Sequence, residues 1–260
     1  MPDSRDQNPT MDDITINTDG VEKLLAGLNP TKASGLECIP PRVLKELAPE
    51  IAPLLTTIYN SSLQTGKVPQ DWRDALLTKE FKKGEHHKAS NYRPISLTSV
   101  TAKILEHILV SATSKRTFCL PNNMAFASSA PAGLSSWSLT KKVSSSMVSG
   151  IATDVIFMDF AKAFDRVNHS LLVHKLDHYG IRGCTNSWIT SFLSERKQDV
   201  VVNGFQSSYA SIKSGVPQGS VLGPSLFLTY INDLPKRISS PSRLFANDTA
   251  VYQVIACMPR

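Results

Sequence analysis

Long apolar runs are missing from this 260-residue sequence. No stretch approaches the roughly 20 apolar residues that a membrane-crossing helix needs, so no membrane partner is expected. The opening residues, MPDSRDQNPTMDD, lack the charged-then-apolar layout of a secretory signal, so secretion is not expected either. Cysteine is scarce: Cys38, Cys119, Cys184 and Cys257 are scattered and form no CxxC pair. That pattern argues against a zinc ribbon and a disulfide framework, and it suits a reducing compartment. There is no G-x-S-x-G elbow, which removes the common serine-hydrolase reading. His174 and His178 have i, i+4 spacing but no evident third ligand, so two helix-surface histidines are the simpler reading.

What is present is a mild positive balance and a hydrophobic share of 41%, enough for a sizeable core. The net charge is +6, which fits a polyanionic partner without requiring one. Its distribution is uneven. The first twenty residues carry five aspartates and one arginine, so residues 1–20 read as an acidic, disordered leader. The stretch Lys79 to Arg93 (KEFKKGEHHKASNYR) is basic with Phe81 and Tyr92 interleaved, either a nucleic-acid contact or a charged surface loop. Residues 122–146 are rich in Ala, Ser and Gly with little periodicity, the texture of a linker.

Apolar spacing predicts helices over Val21–Leu28, from Pro49 to a stop at Gly66, around Val100–Ile108, over Ser170–Tyr179, around Trp188 and Phe192, and over Gly219–Leu234. Val155 to Phe160 is a short apolar run suited to a buried strand. Asn203-Gly204 between Asp199–Val202 and Phe205–Ile212 is a strong hairpin signal. Leu244–Ala246 and Thr249–Val254 read as two further strands. Helices and strands mix without strict βαβ alternation, so the expected class is α+β.

Three places could carry chemistry. Asp159 ends an apolar strand, and Asn247-Asp248 stands between two strands. Acids delivered to one sheet edge make a hard-oxygen site for Mg²⁺, and two such ions can clamp a phosphoryl transfer. Equally, Asp159 could cap a helix and Asn247-Asp248 could be a plain turn. The third place is Ser214-Gly215-Val216-Pro217-Gln218-Gly219-Ser220, where glycines would let backbone approach a ligand, or simply form a loop before a helix.

Taken in order, NYRPISL (91–97), FMDFAKAFDRV (157–167), SGVPQGSVLGPSLF (214–227) and LFAND (244–248) resemble the reverse transcriptases of LINE-type, non-long-terminal-repeat, jockey-like retrotransposons. The likeness covers residues 21–255. It implies a right-hand polymerase with fingers and a pre-fingers region over 21–150 and a partial palm over 151–260. It also implies RNA-directed DNA synthesis from an RNA template, a DNA primer and deoxynucleoside triphosphates, with two Mg²⁺ or Mn²⁺ ions. By the same resemblance Asp159 and Asp248 are metal ligands, and Asn247 occupies the place of a third catalytic acid. Phe164 is the aromatic gate against a ribose 2′-OH, Gln218 and Gly219 lie against the incoming nucleotide, and Arg93 is a fingers arginine near template or triphosphate. Lys82 and Lys83 are backbone contacts to nucleic acid. The family's habits imply a nuclear or cytoplasmic location.

The sequence departs from the family at three points. Asn247 stands where the family has Asp, which implies weak or no activity and leaves a noncatalytic nucleic-acid-binding remnant as the alternative. The Gln-His-Gly-Phe-Arg motif is missing, and NNMAFASSAPAGLSSW stands there instead. Codons started at the third base of Asn122, with free synonymous choice, spell QHGFRKQRSCGTQLM, so residues 122–137 are expected to be a frame-shifted stretch that the coding DNA would reveal. Finally, twelve residues follow Asp248, so the palm is expected to be partial and the thumb absent.

Overall fold

A computed structural model of the protein describes residues 8–117, 140–141, 143–146, 148–149, 151–202, 204–245 and 248–255. It is a mixed α/β molecule. The helices are α1 (Thr18–Ala26), α2 (Pro41–Glu46), α3 (Ala48–Thr65), α4 (Gln70–Arg73), α5 (Val100–Thr117), α6 (His169–His178), α7 (Gly183–Leu193) and α8 (Leu222–Ile231). The strands are β1 (Ala75–Phe81), β2 (Tyr92–Leu97), β3 (Thr153–Asp159), β4 (Lys197–Val202), β5 (Phe205–Gln206), β6 (Ala210–Ser211), β7 (Ser242–Phe245) and β8 (Asp248–Val254).

The strands make two sheets. In the first, β1 pairs antiparallel with β2 and parallel with β4, and β4 also takes up β5 and β6. In the second, β8 lies between β3 and β7, antiparallel to both. The expected strand at Val155–Phe160 and the pair around Asn247-Asp248 therefore belong to one sheet. Gly204, at φ 84, stands immediately before β5, which pairs back onto β4 with Val202 opposite Phe205, as the hairpin signal requires. The continuous strand expected over Phe205–Ile212 is split into two short pieces that both return to β4.

Local chemistry sets the helix ends. Gly66 takes the left-handed conformation that ends α3, and Asn168 caps α6 through Leu171 N–H. The helix expected from Gly219 starts only at Leu222, because Gly219 has φ +116, outside helical space. It stops at Ile231, and a separate 3₁₀ turn follows at Leu234–Arg237. The basic stretch Lys79–Arg93 is not one loop: its ends are strands β1 and β2, paired from Leu76↔Leu97 to Phe81↔Tyr92.

One organisational expectation changes. The acidic leader is held from Asn8 onward: Asn60 accepts Ile16 N–H at 3.0 Å and donates to Ile16 C=O at 2.9 Å, and Met11 N–H reaches Gly180 C=O. Composition predicted disorder from charge alone, but Ile14 and Ile16 add an apolar handle that packs on the core. The two parts meeting at residue 150 also share one core. Strand β4 pairs with β1, and one apolar cluster runs from Ile16 and Val21 to Leu226 and Leu244. Within 122–146, residues 140–141 and 143–146 are helical, and the remaining positions lie outside the described residues.

Trp188 anchors that cluster. It is fully buried, stacks on Phe192 at 5.4 Å and donates its indole N–H to Ser62 Oγ at 2.9 Å. Trp188→Ala is expected to cost about 3–5 kcal/mol, the range for deleting a buried aromatic. Urea unfolding with an unchanged slope would show it as a lower midpoint. A smaller lock joins α6 to the end of α8, where Lys175 pairs with Asp233 and donates to Tyr230 C=O. Burial would raise the Asp233 pKa, but the Lys175 hydrogen bond and charge outweigh it and hold the carboxyl below its ordinary value. A folded value below the unfolded one contributes stability above the unfolded pKa and loses it as pH falls through the folded pKa. Asp233→Asn should therefore flatten the acid limb of the stability curve below about pH 4, read by thermal melts from pH 2 to 6.

Candidate active site

Strand β3 ends on Asp159 and β8 begins on Asp248, and antiparallel pairing sets these two residues directly opposite each other. Cross-strand partners project to the same face with Cβ atoms about 5 Å apart. Both are exposed at the end of the sheet. Asn247 lies outside the described residues. Among the described residues no group of three or more His, Cys, Asp and Glu gathers to hold a metal. Asp159 and Asp248 supply two carboxylates, hard oxygen donors suited to a small divalent cation that takes its other ligands from water and phosphate.

A cleft of about 490 Å³ opens beside Asp159, and Lys82, Arg93, Phe160, Phe164, Gln218 and Gly219 help to form its wall. The structure thus brings together six of the residues singled out in the sequence: Asp159, Phe164, Gln218, Gly219, Arg93 and Lys82. Asp248 joins them through its pairing with Asp159, although it is not part of the cleft wall. Lys83 is exposed in the connection between β1 and β2 and is not part of that wall.

Each wall residue has a local cause. Arg93 and Lys82 sit at the connected end of the β1–β2 pair, which is held by Phe81 stacking on His86 at 3.9 Å and meeting Tyr92 edge-on. Phe164 begins a 3₁₀ turn and stacks on Phe227 of α8 at 4.9 Å, so its ring is fixed before any ligand arrives. Backbone bonds from Val216 N–H to Phe164 C=O and from Gly215 N–H to Val167 C=O, both 2.8 Å, fasten the glycine-proline loop to that turn.

Gln218 is gripped twice. Its carbonyl accepts Ser96 N–H at 2.8 Å, and its side-chain amide donates to Asp165 at 3.1 Å. The next residue must be glycine, since a Cβ at Gly219 would lie 2.5 Å from Ser96 O and the φ is positive.

Sequence reasoning missed Lys162, which lines the cleft with φ 54, a conformation uncommon for a residue with a Cβ. Its only signal was a place three residues after Asp159. It also missed Asp165 as the partner of Gln218. With Lys82, Arg93 and Lys162 around it, the cleft sets three cations near one end of a carboxylate pair. Lysine and arginine side chains bind phosphate oxygens through charge-assisted hydrogen bonds.

Residues 81–254 match the family described as Reverse transcriptase (RNA-dependent DNA polymerase). The chain is 30% identical over 230 residues to the RNA-directed DNA polymerase from mobile element jockey of Drosophila melanogaster, covering 85% of this chain and 24% of that protein. It is 27% identical over 231 residues to the probable RNA-directed DNA polymerase from transposon BS of the same species, covering 85% and 25%. It is 31% identical over 173 residues to the Pol polyprotein from the type-1 retrotransposable element R2 of Popillia japonica, covering 66% and 24%. The chain spans about a quarter of the length of these relatives. Its matched region carries the paired Asp159 and Asp248, the Gln218 loop and the cleft between them, and on these matches the chain belongs to the reverse transcriptase family, among the RNA-directed DNA polymerases of LINE-type retrotransposons.

Proposed function

We propose that this chain is the nucleotide-adding part of an RNA-directed DNA polymerase, with β1 and β2 as fingers and the β3–β8–β7 sheet as palm. One observation carries the reading: Asp159 stands opposite Asp248 beside a cleft whose wall includes Gln218, Phe164, Arg93 and Lys82. Asp159 and Asp248 would hold Mg²⁺ or Mn²⁺, which when bound neutralises charge on the triphosphate and on the attacking and leaving oxygens. Arg93, Lys82 and Lys162 bind and orient the triphosphate from the other side. Phe164, backed by Phe227, stands where a ribose 2′-OH would reach and so selects deoxynucleotides. Gln218, fixed by Ser96 and Asp165, aligns the nucleotide with the template. An RNA template and a DNA primer are the partners, and Lys83 adds backbone contact to them.

Asn247 favours a second reading, a remnant that holds nucleic acid by charge and adds no nucleotide. Primer extension on an RNA template with Mg²⁺ or Mn²⁺ separates the two. Deoxynucleotide incorporation that ribonucleotides do not support bears out the polymerase. RNA binding that survives chelation and falls steeply with salt, with no incorporation by the native chain or by Asn247→Asp, supports the remnant.

A further inference from the structure

Glu106 lies in the middle of α5, and no surface of it reaches solvent. A carboxylate in that position is costly unless specific partners hold it. Its partners come from 114 and 116 residues away: Oε2 accepts the Ser220 hydroxyl at 2.5 Å and Leu222 N–H at 2.8 Å. Ser220 Oγ in turn accepts Gly223 N–H at 2.9 Å. Helix α8 has no side-chain cap from its own N-cap residue, Val221. Glu106 and Ser220 together satisfy its first N–H groups, and a negative charge there complements the positive end of the helix dipole.

The same short segment of chain grips the loop at two points. Ser96 of β2 holds Gln218 C=O and leaves no room beside Gly219, while Glu106, ten residues later, holds Ser220 and Leu222. Gln218 is therefore itself one anchor point of the loop, and the other anchors, Ser220 and Leu222, follow two and four residues later. Behind the loop is a cavity of about 340 Å³ whose wall includes Lys213, Ser214, Gln218 and Arg196. Arg196 is 1% exposed and supplies the positive charge that Glu106 feels. Glu106 Oε1 and Arg196 Nε and Nη2 make no hydrogen bond among the described residues, so the two charges act through space. Burial raises the Glu106 pKa, while the Ser220 and Leu222 bonds and the Arg196 charge act against that rise.

We propose that Glu106 is a positioning residue for nucleotide binding, a buried carboxylate that fixes where Gln218 stands by tethering Ser220 and Leu222. The nucleotide part of this assignment rests on the polymerase reading, and the tether itself does not. Glu106→Gln keeps the shape and removes the charge. Ser220→Ala removes one link and leaves the buried carboxylate in place, which provides a second variant should the first not fold.

The test is hydrogen exchange of the full-length chain, resolved to peptides, together with equilibrium binding of a fluorescent deoxynucleoside triphosphate with Mg²⁺. In both variants, exchange within 214–223 should speed up about tenfold and the Kd should rise about tenfold, the loss expected of one charge-assisted hydrogen bond. Peptides of α3, β3 and β8 should exchange as before. Unchanged exchange in 214–223 overturns the tether, and exchange that speeds up throughout the molecule reduces Glu106 to a general stability role. Faster loop exchange with an unchanged Kd overturns the positioning role. A chain that binds no deoxynucleotide even as Asn247→Asp defeats the polymerase reading, and the exchange comparison still decides the tether.

Discussion

Asn247→Asp is expected to raise deoxynucleotide incorporation on a primed RNA template by about a hundredfold or more, the scale on which a misplaced or weakly held reacting group slows an enzyme. The physical reason is charge. An amide oxygen can ligate a divalent ion, but it contributes no negative charge to balance it. In the proposed site, Asp159 and Asp248 are left to hold the metal while Lys82, Arg93 and Lys162 crowd the same cleft with positive charge. A carboxylate at 247, immediately before Asp248, adds the missing charge where the sheet already delivers one. Single-turnover extension with Mg²⁺ measures the change. Efficient extension by the native chain would show that Asn247 does not impair the site. No extension by either protein would place the defect elsewhere, with residues 122–137 the first stretch to examine. Extension by Asn247→Asp alone would show that the architecture works and that one lost charge is the main lesion.

Much of this site was legible because its parts are local. A strand that ends in Asp159, a glycine-proline loop ahead of an apolar helix, and Asp248 at the start of another strand each announce themselves within about ten residues. The hairpin at Gly204 and the stop at Gly66 were legible for the same reason, since positive φ leaves a residue-level mark. What was hidden is nonlocal. Strand β1 pairs in parallel with β4, more than a hundred residues later, and parallel pairing has no turn to betray it. Its outer residues, Lys79, Glu80 and Phe81, are exposed and mostly charged, so a charged surface loop was one of the two readings that the stretch allowed. The leader is ordered by the side-chain amide of Asn60, 44 residues away from Ile16. Glu106 could not be found from sequence at all, because a glutamate in a helix is ordinarily a solvated one, and only the packed structure seals it against Ser220 and Leu222.

The pairing of Asp159 with Asp248 makes a prediction that does not depend on catalysis. Like charges directly opposite on antiparallel strands repel by roughly 0.2–1 kcal/mol. In metal-free buffer, a double-mutant cycle with Asp159→Asn and Asp248→Asn should give a coupling energy of that size and repulsive sign. Other contacts of each carboxylate cancel around the cycle, so the sign reports the pair itself. Mg²⁺ should reverse it. An ion that needs both carboxylates binds the folded chain and not the unfolded one, so it stabilises the native protein by an amount that grows with its concentration over Kd. Either single substitution then removes the whole of that gain, the double removes no more, and the coupling becomes favourable. Urea midpoints for the four proteins, with EDTA and with millimolar Mg²⁺, supply the measurement. The same two substitutions, placed in the Asn247→Asp protein, should each cut incorporation by about a hundredfold or more. A coupling that stays repulsive when Mg²⁺ is added would mean that the two carboxylates face each other without sharing an ion, and the metal assignment would fall while the sheet register stood.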